Sequence, residues 1–320
     1  MKKRALGTTG LEIAPVVLGG NVFGWTIDER ASFAVLDAFT DHGFNAIDTA
    51  DCYSAWAPGN EGGESETIIG NWLKARPQLR DKMTIFTKVG SATGGPKEHG
   101  LSREWILGAV ERSLRRLGID RIDLYFSHWP DPAGTSYEET LGAFDTLMKA
   151  GKVRAIGASN VDAGQLGESL KVARANGLPG YQAIQPEYNL YDRARFDGGL
   201  RELCIAENIG VVTYYSLASG FLSGKYRSEA DLGQSVRGGK VKNYLTPRGE
   251  RILKALDEVA AAHGAQPSEI ALAWLIAREG VTAPIASATK TAHVESFARA
   301  AQTRLAADEI AALDRAGAEG

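Results

Sequence analysis

Short apolar runs alternate with longer amphipathic segments along this chain. Eight of the runs have the length of buried strands and are bounded by polar or glycine-containing segments. They cover residues 14–19, 44–48, 83–88, 122–127, 153–157, 181–185, 210–215 and 283–286. Strands that alternate with helices build parallel sheets, so the pattern predicts an α/β protein. Eight such units favour closure into a (β/α)8 TIM barrel, and an open, doubly wound sheet is the alternative.

Helical periodicity fills the segments between the predicted strands. Ser102 has the side chain of an N-cap, and Pro247 and Pro267 are typical of a first helical turn. Apolar residues three or four positions apart give these segments one buried face. Such residues include Phe33, Leu36, Phe39, Ile106, Val110, Leu114, Leu117, Leu141, Phe144, Met148, Ile252, Leu256, Val259, Leu272 and Leu275.

Two segments do not fit the repeat. Residues 3–14 predict an N-terminal β-hairpin that turns at residues 7–10 and closes the amino-terminal end of the barrel. Residues 219–245 predict a long polar loop after the seventh strand, and such loops are usually functional or disordered. A basic loop there is suited to closing over an anionic ligand. Its basic residues are Lys225, Arg227, Arg237, Lys240 and Lys242.

Composition narrows the class of protein. The chain has 320 residues, of which 44% are apolar, and no break in composition divides it, so we expect residues 1–320 to form a single domain. A net charge of −3 makes nucleic acid and anionic membranes unexpected partners. Cys52 and Cys204, the two cysteines, are too few for a disulfide framework. With no signal-peptide core and no membrane-length apolar run, we expect a cytoplasmic protein. The oligomeric state is left open.

Candidate catalytic groups lie where three of the predicted strands end. Asp48 ends the second run and Tyr53 follows it on the loop, Lys88 ends the third run, and His128 follows the fourth. If these strands belong to one barrel, the four side chains converge on one rim. Taken singly, each residue is more often a salt-bridge partner, a packing residue or a structural imidazole. The four together are typical of an enzyme.

The four residues suit the reduction of a carbonyl group. A phenol has a reference pKa of about 10, and a nearby ammonium favours the phenolate. We therefore expect Lys88, held by Asp48, to lower the pKa of Tyr53, so that Tyr53 protonates a developing alkoxide. His128 would donate a hydrogen bond to the same oxygen, and no metal is required. A lyase that uses Lys88 as a Schiff-base amine is an alternative, which the neighbouring carboxylate disfavours.

Motifs along nearly the whole chain resemble those of the aldo-keto reductases. They are RALGTTGLEIAPVVLGG, NAIDTADCYS, GGESETIIG, FTKVG, DLYFSHWPD, VRAIGASN, QPEYN and YYSLASGFLSGKY. The resemblance implies a (β/α)8 barrel that binds NADP(H) across its carboxyl-terminal face, without a Rossmann domain. It implies the same catalytic roles for Asp48, Tyr53, Lys88 and His128, with Tyr53 as acid in reduction and base in oxidation.

The resemblance also implies a set of cofactor residues. Ser159, Asn160 and Gln185 would hold the nicotinamide carboxamide, and Tyr215 would stack beneath the ring. Two departures from the family pattern stand out, since Leu217 follows Ser216 without the usual proline, and His293 lies where an arginine is common. NADP(H) is therefore the preferred cofactor, with NAD(H) as the alternative. The full set is Gly20, Ser159, Asn160, Gln185, Tyr215, Ser216, Leu217, Ser219, Gly220, Lys225, Ser287, Thr289, Lys290 and His293.

Four aromatic residues near the predicted rim form a candidate substrate pocket. Phe23 and Trp25 follow the first strand, Trp56 follows Tyr53, and Trp129 follows His128. Such a lining suits an apolar ligand with few polar contacts, although any of these rings could instead pack under a loop. Aromatic or aliphatic aldehydes, ketones and sugars remain open as small-molecule carbonyl substrates. The main alternative to a reductase is an NADP(H)-binding regulatory subunit with little turnover.

Overall fold

The computed structural model describes residues 1–91, 100–236 and 238–318, so Arg237 of the basic segment lies outside the described residues. Eight parallel strands close into a barrel, and two further strands pair antiparallel as an N-terminal hairpin. The hairpin strands are β1 (Arg4–Ala5) and β2 (Glu12–Ile13). The barrel strands are β3 (Val17–Gly19), β4 (Ala46–Asp48), β5 (Thr84–Val89), β6 (Ile122–Ser127), β7 (Val153–Ser159), β8 (Ala183–Gln185), β9 (Gly210–Thr213) and β10 (Ala283–Ala286).

The strand order confirms the predicted (β/α)8 barrel. Each barrel strand pairs with its neighbour in sequence, and β10 pairs with both β9 and β3 to close the ring. The helices are α1 (Glu29–Asp41), α2 (Glu64–Ala75), α3 (Arg103–Leu117), α4 (Tyr137–Lys149), α5 (Ala163–Asn176), α6 (Gly199–Ala206), α7 (Gly238–Val241), α8 (Pro247–His263), α9 (Pro267–Ala277), α10 (Thr291–Gln302) and α11 (Ala307–Gly317). No helix among the described residues is both long and apolar enough to cross a bilayer.

Local signals predicted several of the helix ends. Ser102 caps α3 by accepting a hydrogen bond from the Trp105 amide, and Gly118 ends the same helix in the left-handed conformation that glycine adopts without strain. Pro247 and Pro267 lie in the first turns of α8 and α9, as predicted.

The N-terminal hairpin closes the amino-terminal end of the barrel, as expected. Leu6, Leu11 and Ile13 are buried in one cluster with inward-facing strand residues such as Phe86 and Phe126. Gly7 has a φ of +52°, and a Cβ there would lie 2.2 Å from the backbone nitrogen of Gly210 at the start of β9. Only glycine allows the hairpin turn to approach the strand this closely.

Several predicted bounds differ from the structure, since β4 and β8 begin two residues later than predicted, β7 ends two residues later and β9 ends two residues earlier. Two differences are larger. Strand β3 begins at Val17 and not at residue 14, because the Ala14 amide donates its hydrogen bond to the Asn45 side chain, at 2.8 Å. The described part of residues 219–245 is not an unstructured loop. It contains the helix α7 and the 3₁₀ turns Ala218–Ser223, Glu229–Gln234 and Lys242–Tyr244.

Candidate active site

The barrel brings four predicted catalytic side chains to one rim. Asp48 ends β4, Lys88 lies one residue before the end of β5, and His128 follows β6 directly. The carboxyl ends of parallel strands share one end of a barrel, so these side chains meet there. Tyr53 reaches the same place from the loop after β4, with its ring centroid 6.0 Å from that of His128.

Lys88 is the centre of the site. Its side chain is fully buried, and its Nζ donates hydrogen bonds to Asp48 Oδ2 at 2.7 Å, to the Thr49 carbonyl at 2.8 Å and to the Tyr53 hydroxyl at 2.8 Å. An ammonium has three N–H donors, so these acceptors use its full capacity. This bonding argues against the Schiff-base alternative, which needs a neutral amine with a free lone pair.

Asp48 joins Lys88 to the cofactor-binding side of the rim. Its carboxylate accepts hydrogen bonds from Gln185 Nε2 at 2.8 Å and from the Tyr53 hydroxyl at 3.3 Å. Asp48 is itself buried, with 1% exposure, so its charge depends on these partners and on Lys88. The sequence predicted Gln185 as a nicotinamide ligand, and the structure gives its amide nitrogen this second contact.

The expected lowering of the Tyr53 pKa is wrong. Burial of the hydroxyl raises the pKa of Tyr53 well above its usual value, and the neighbouring Asp48 carboxylate raises it further. The sequence could not reveal this, because the direction depends on how closely protein surrounds the hydroxyl. Tyr53 is therefore a neutral phenol at neutral pH and has a proton to donate. The hydrogen bond from Lys88 stabilises the phenolate that such a transfer leaves.

His128 is neutral in this site. Burial lowers the pKa of His128 well below its usual value, and the Lys88 charge lowers it further. Ser91 Oγ lies 2.8 Å from His128 Nδ1. When the Ser91 hydroxyl donates to Nδ1, the imidazole proton resides on Nε2 and that nitrogen is a hydrogen-bond donor. Ser91 was not predicted from the sequence, because a serine after a strand carries no distinctive signal.

The predicted nicotinamide residues meet beside this group. Ser159 Oγ donates to the Gln185 carbonyl at 2.7 Å, and Asn160 Nδ2 donates to the His128 carbonyl at 2.8 Å. Tyr214, which the sequence analysis missed, donates its hydroxyl proton to Asn160 Oδ1 at 2.6 Å. These contacts fix the direction of the Asn160 amide. At the rim, the Gly20 amide donates to the Asp48 carbonyl at 2.8 Å.

The backbone after β9 has the strained geometry of a ligand-binding turn. Tyr215, Ala218 and Ser219 have φ values of +51°, +48° and +58°, which side-chain-bearing residues rarely adopt. The Tyr215 ring is exposed, and its carbonyl accepts a hydrogen bond from Asn189 Nδ2 at 3.1 Å. Such turns form anion-binding concavities, which fits the pyrophosphate role predicted for this loop. Three other predicted residues lie in this turn. Ser216 is buried, and its hydroxyl donates to the Thr213 carbonyl, while Leu217 packs against the core. Gly220 has a φ of +100°.

Basic side chains gather at the predicted adenosine phosphate end. The positive charges of Lys290 and Lys225 both lower the pKa of His293, after the larger effect of burial, so all three lie within electrostatic reach. The Thr289 amide donates to His293 Nδ1 at 3.2 Å. Ser287 Oγ donates to Asn21 Oδ1 at 2.5 Å.

Three of the four predicted pocket aromatics surround Tyr53 and His128. Trp56 is 49% exposed and packs edge-on against Tyr53, at a centroid distance of 6.0 Å, while Trp25 packs edge-on against Trp56, at 5.5 Å. Trp129 is 47% exposed and stacks on His128 at 6.2 Å. The placement of Phe23 in the pocket is wrong. Its side chain is fully buried in the core, because hydrogen bonds within residues 22–27 fold this segment inward.

Residues 15–318 match the model of the aldo/keto reductase family. The chain belongs to this family. Among its relatives, aldo-keto reductase AMT2 of Alternaria alternata is 30% identical over 97% of this chain and 90% of its own length. The uncharacterised oxidoreductase YrpG of Bacillus subtilis is 32% identical, over 89% of this chain and 86% of that protein. A probable voltage-gated potassium channel subunit beta of Arabidopsis thaliana is 30% identical, over 94% of this chain and 91% of that protein.

Membership of the family makes this chain an oxidoreductase that acts on carbonyl groups with a nicotinamide cofactor. The predicted family and the predicted enzyme class are thereby confirmed. The family model covers the barrel strands and the helices after them, and leaves out the hairpin.

Proposed function

We propose that this protein is an NADP(H)-dependent reductase of aldehydes and ketones that also catalyses the reverse oxidation of alcohols. The observation that carries the proposal is the contact between the Tyr53 hydroxyl and Lys88 Nζ, at 2.8 Å, beside the half-exposed rings of Trp56 and Trp129. A bound nicotinamide supplies the hydride. Tyr53 then gives its proton to the substrate oxygen, and His128 orients that oxygen by a hydrogen bond.

The site separates the tasks of its residues. Lys88 stabilises the phenolate after proton transfer through its hydrogen bond, and Asp48 holds Lys88 in place through a 2.7 Å ion pair. Asp48 also raises the pKa of Tyr53, so it keeps the proton on the phenol until the substrate oxygen can take it. Ser159, Asn160 and Gln185 would hold the carboxamide of the nicotinamide, which fixes the ring face that meets the substrate.

Replacing Tyr53 by phenylalanine tests this assignment. We expect Tyr53→Phe to bind NADPH normally and to lose at least about a hundredfold in turnover, the usual scale for a general acid. The measurements are steady-state reduction of a panel of aldehydes and ketones, and NADPH titration by fluorescence. Tyr191→Phe is a control of the same chemistry at a tyrosine that bonds to Thr246 Oγ1 and lies outside the proposed site. Full activity in Tyr53→Phe would remove Tyr53 from the mechanism.

The preference for NADP(H) over NAD(H) rests on charge. Lys225 and Lys290 are exposed cations whose charges reach His293, and His293 itself is neutral at pH 7 because burial lowers its pKa. Lysines bind a phosphate as point charges, whereas a neutral imidazole contributes little. We expect Lys290→Met to weaken NADPH binding about tenfold, a typical loss of 1.4 kcal/mol, and to leave NADH binding unchanged. Equal losses for both nucleotides would refute the assignment.

A regulatory subunit is the second candidate, because a relative at 30% identity is named as a channel beta subunit. The Asp48, Tyr53 and Lys88 contacts favour an enzyme, since a subunit that only binds the cofactor has no use for a positioned proton donor. Assaying the purified protein with a panel of aldehydes separates the two. NADPH binding without turnover of any aldehyde would favour the regulatory role.

A further inference from the structure

Two further buried side chains, Asp51 and Cys52, lie next to His128 of the proposed catalytic group. Among the residues that the structure describes, Asp51, Cys52 and His128 offer a carboxylate oxygen, a sulfur and an imidazole nitrogen that all lie within 4.8 Å of one another. Cys52 Sγ lies 3.7 Å from His128 Nδ1. The reductase chemistry proposed above uses neither Asp51 nor Cys52.

The separations are close to those of a zinc site. Zinc binds sulfur at about 2.3 Å and nitrogen or oxygen at about 2.0–2.2 Å in a tetrahedral arrangement, so its ligand atoms stand roughly 3.3–3.6 Å apart. The distance of 3.7 Å between Cys52 Sγ and His128 Nδ1 is almost this value. The largest distance between any two of the three ligand atoms is at most 4.8 Å. A shift of about one ångström or slightly more would bring those two atoms to the spacing of a zinc site.

Asp51 supplies an independent sign that a cation belongs here. The residue is 4% exposed, and its Oδ1 has no hydrogen-bond partner among the residues that the structure describes. Burial raises the pKa of Asp51 well above its usual value, and the nearby Glu66 raises it further. The positive charges of Arg116 and Arg112 act in the opposite direction and lower the pKa of Asp51, but Arg116 is paired with Glu66, and neither guanidinium donates a hydrogen bond to Oδ1. A buried carboxylate oxygen without a partner is costly, and a bound cation would remove that cost.

We propose that Asp51, Cys52 and His128 form a binding site for a thiophilic divalent cation such as Zn²⁺, and that its occupation inhibits the enzyme. The fourth ligand is water, and the Ser91 hydroxyl, which lies 2.8 Å from His128 Nδ1, gives up that hydrogen bond when the metal takes the nitrogen. Binding converts the Cys52 thiol to a thiolate and releases its proton to solvent, so Zn²⁺ and one thiol give a zinc–thiolate bond and one proton.

The chemistry of Cys52 selects the cation. Its sulfur is a soft ligand, so the site favours metals that bind sulfur strongly. Zn²⁺ and Cd²⁺ meet this requirement, and Mg²⁺ does not. Inhibition follows from the chain itself. Tyr53 follows Cys52 directly in the chain, and His128 is itself one of the proposed catalytic residues, so we expect a metal held by Asp51, Cys52 and His128 to displace the groups that act on the substrate oxygen. This part of the inference rests on the proposed reductase function.

The test uses the purified full-length protein and Cd²⁺ as a spectroscopic probe. Titration follows the ultraviolet charge-transfer absorption of a cadmium–thiolate bond, with wild type, Cys52→Ser, Asp51→Asn and Cys204→Ser compared. Cys204 is the matched control, because it is also a buried free cysteine and is not one of the three proposed ligands. Circular dichroism verifies that each variant is folded. In parallel, carbonyl reduction is measured at increasing Zn²⁺, and with Mg²⁺ as the control cation.

We expect the absorption band in wild type and Cys204→Ser, none in Cys52→Ser, and an affinity at least about tenfold weaker in Asp51→Asn. The Zn²⁺ concentration that halves activity should rise at least about tenfold in Cys52→Ser. A band that persists in Cys52→Ser, or no band in wild type with Cd²⁺ in excess, would overturn the site. Cation binding that leaves activity unchanged would overturn the inhibition. If no carbonyl is reduced at all, the proposed function fails, while the absorption titration still decides the metal site.

Discussion

The buried pair of Lys88 and Asp48 allows a prediction of stability with a magnitude. In Lys88→Met the side chain keeps its apolar length but loses the ammonium. Asp48, which is 1% exposed, then retains Gln185 and Tyr53 as the donors to its carboxylate among the described residues. A buried charge that has lost its counter-ion costs about 3–5 kcal/mol. Since domains are stable by about 5–15 kcal/mol, the loss is a large fraction of the total.

Lys149→Met is the matched control for this substitution. Its ion pair with Asp145 is 2.6 Å long, against 2.7 Å for Lys88 and Asp48, but the Lys149 side chain is 76% exposed and the Lys88 side chain is fully buried. Exposed pairs of this helical spacing contribute about 0.3–0.5 kcal/mol. Two salt bridges of nearly equal length should therefore differ about tenfold in the stability they cost when broken.

Urea unfolding followed by tryptophan fluorescence and by circular dichroism measures both losses, and coincident transitions justify a two-state treatment. The double variant Asp48→Asn/Lys88→Met has no uncompensated buried charge, so we expect it to be more stable than Lys88→Met alone. The reasoning would be refuted if Lys88→Met lost less than about 1 kcal/mol of unfolding free energy. It would also be refuted if the double variant were less stable than Lys88→Met.

Two further predictions concern Asp51 and Asn189. Because the pKa of Asp51 is raised in the folded protein, its ionised form is destabilising, and this cost is absent at low pH and grows as pH rises through the folded pKa. Asp51→Asn should therefore raise the melting temperature more at pH 8 than at pH 4, and an equal change at both would contradict this. Asn189→Ala removes the hydrogen bond to the Tyr215 carbonyl and should weaken NADPH binding about tenfold with turnover at saturating cofactor unchanged, since that bond holds the strained turn. Unaltered NADPH affinity, by fluorescence titration, would exclude the role.

The polar contacts around the site could not be predicted from the sequence. Ser91, Tyr214 and Asn189 hold His128, Asn160 and Tyr215 in place, and each partner lies 26 to 54 residues away along the chain. Their pairing depends on where the loops run once the barrel has closed. A serine, a tyrosine or an asparagine near a strand end is common in any α/β protein and carries no sign of its partner.

The position of the Phe23 ring and the pKa of Tyr53 differ from expectation because both depend on tertiary structure. Phe23 follows the first barrel strand as the resemblance suggested, but the turn of residues 22–27 directs its ring into the core. The pKa of Tyr53 is raised by burial and by the Asp48 carboxylate, and the sequence contains the phenol and the carboxylate without the burial and the distance that decide the shift.

The sequence by itself determined the barrel and the position of Asp48, Lys88 and His128 on it. Hydrophobic periodicity marks the eight barrel strands and the amphipathic helices between them, and a residue at the carboxyl end of any strand of a closed parallel barrel must lie at the same rim. Tertiary structure alone decided which polar atoms are paired, which aromatic rings face solvent and which protons are held. Those properties depend on distances of a few ångströms between segments remote in sequence, and electrostatic energies in a protein interior change steeply over such distances.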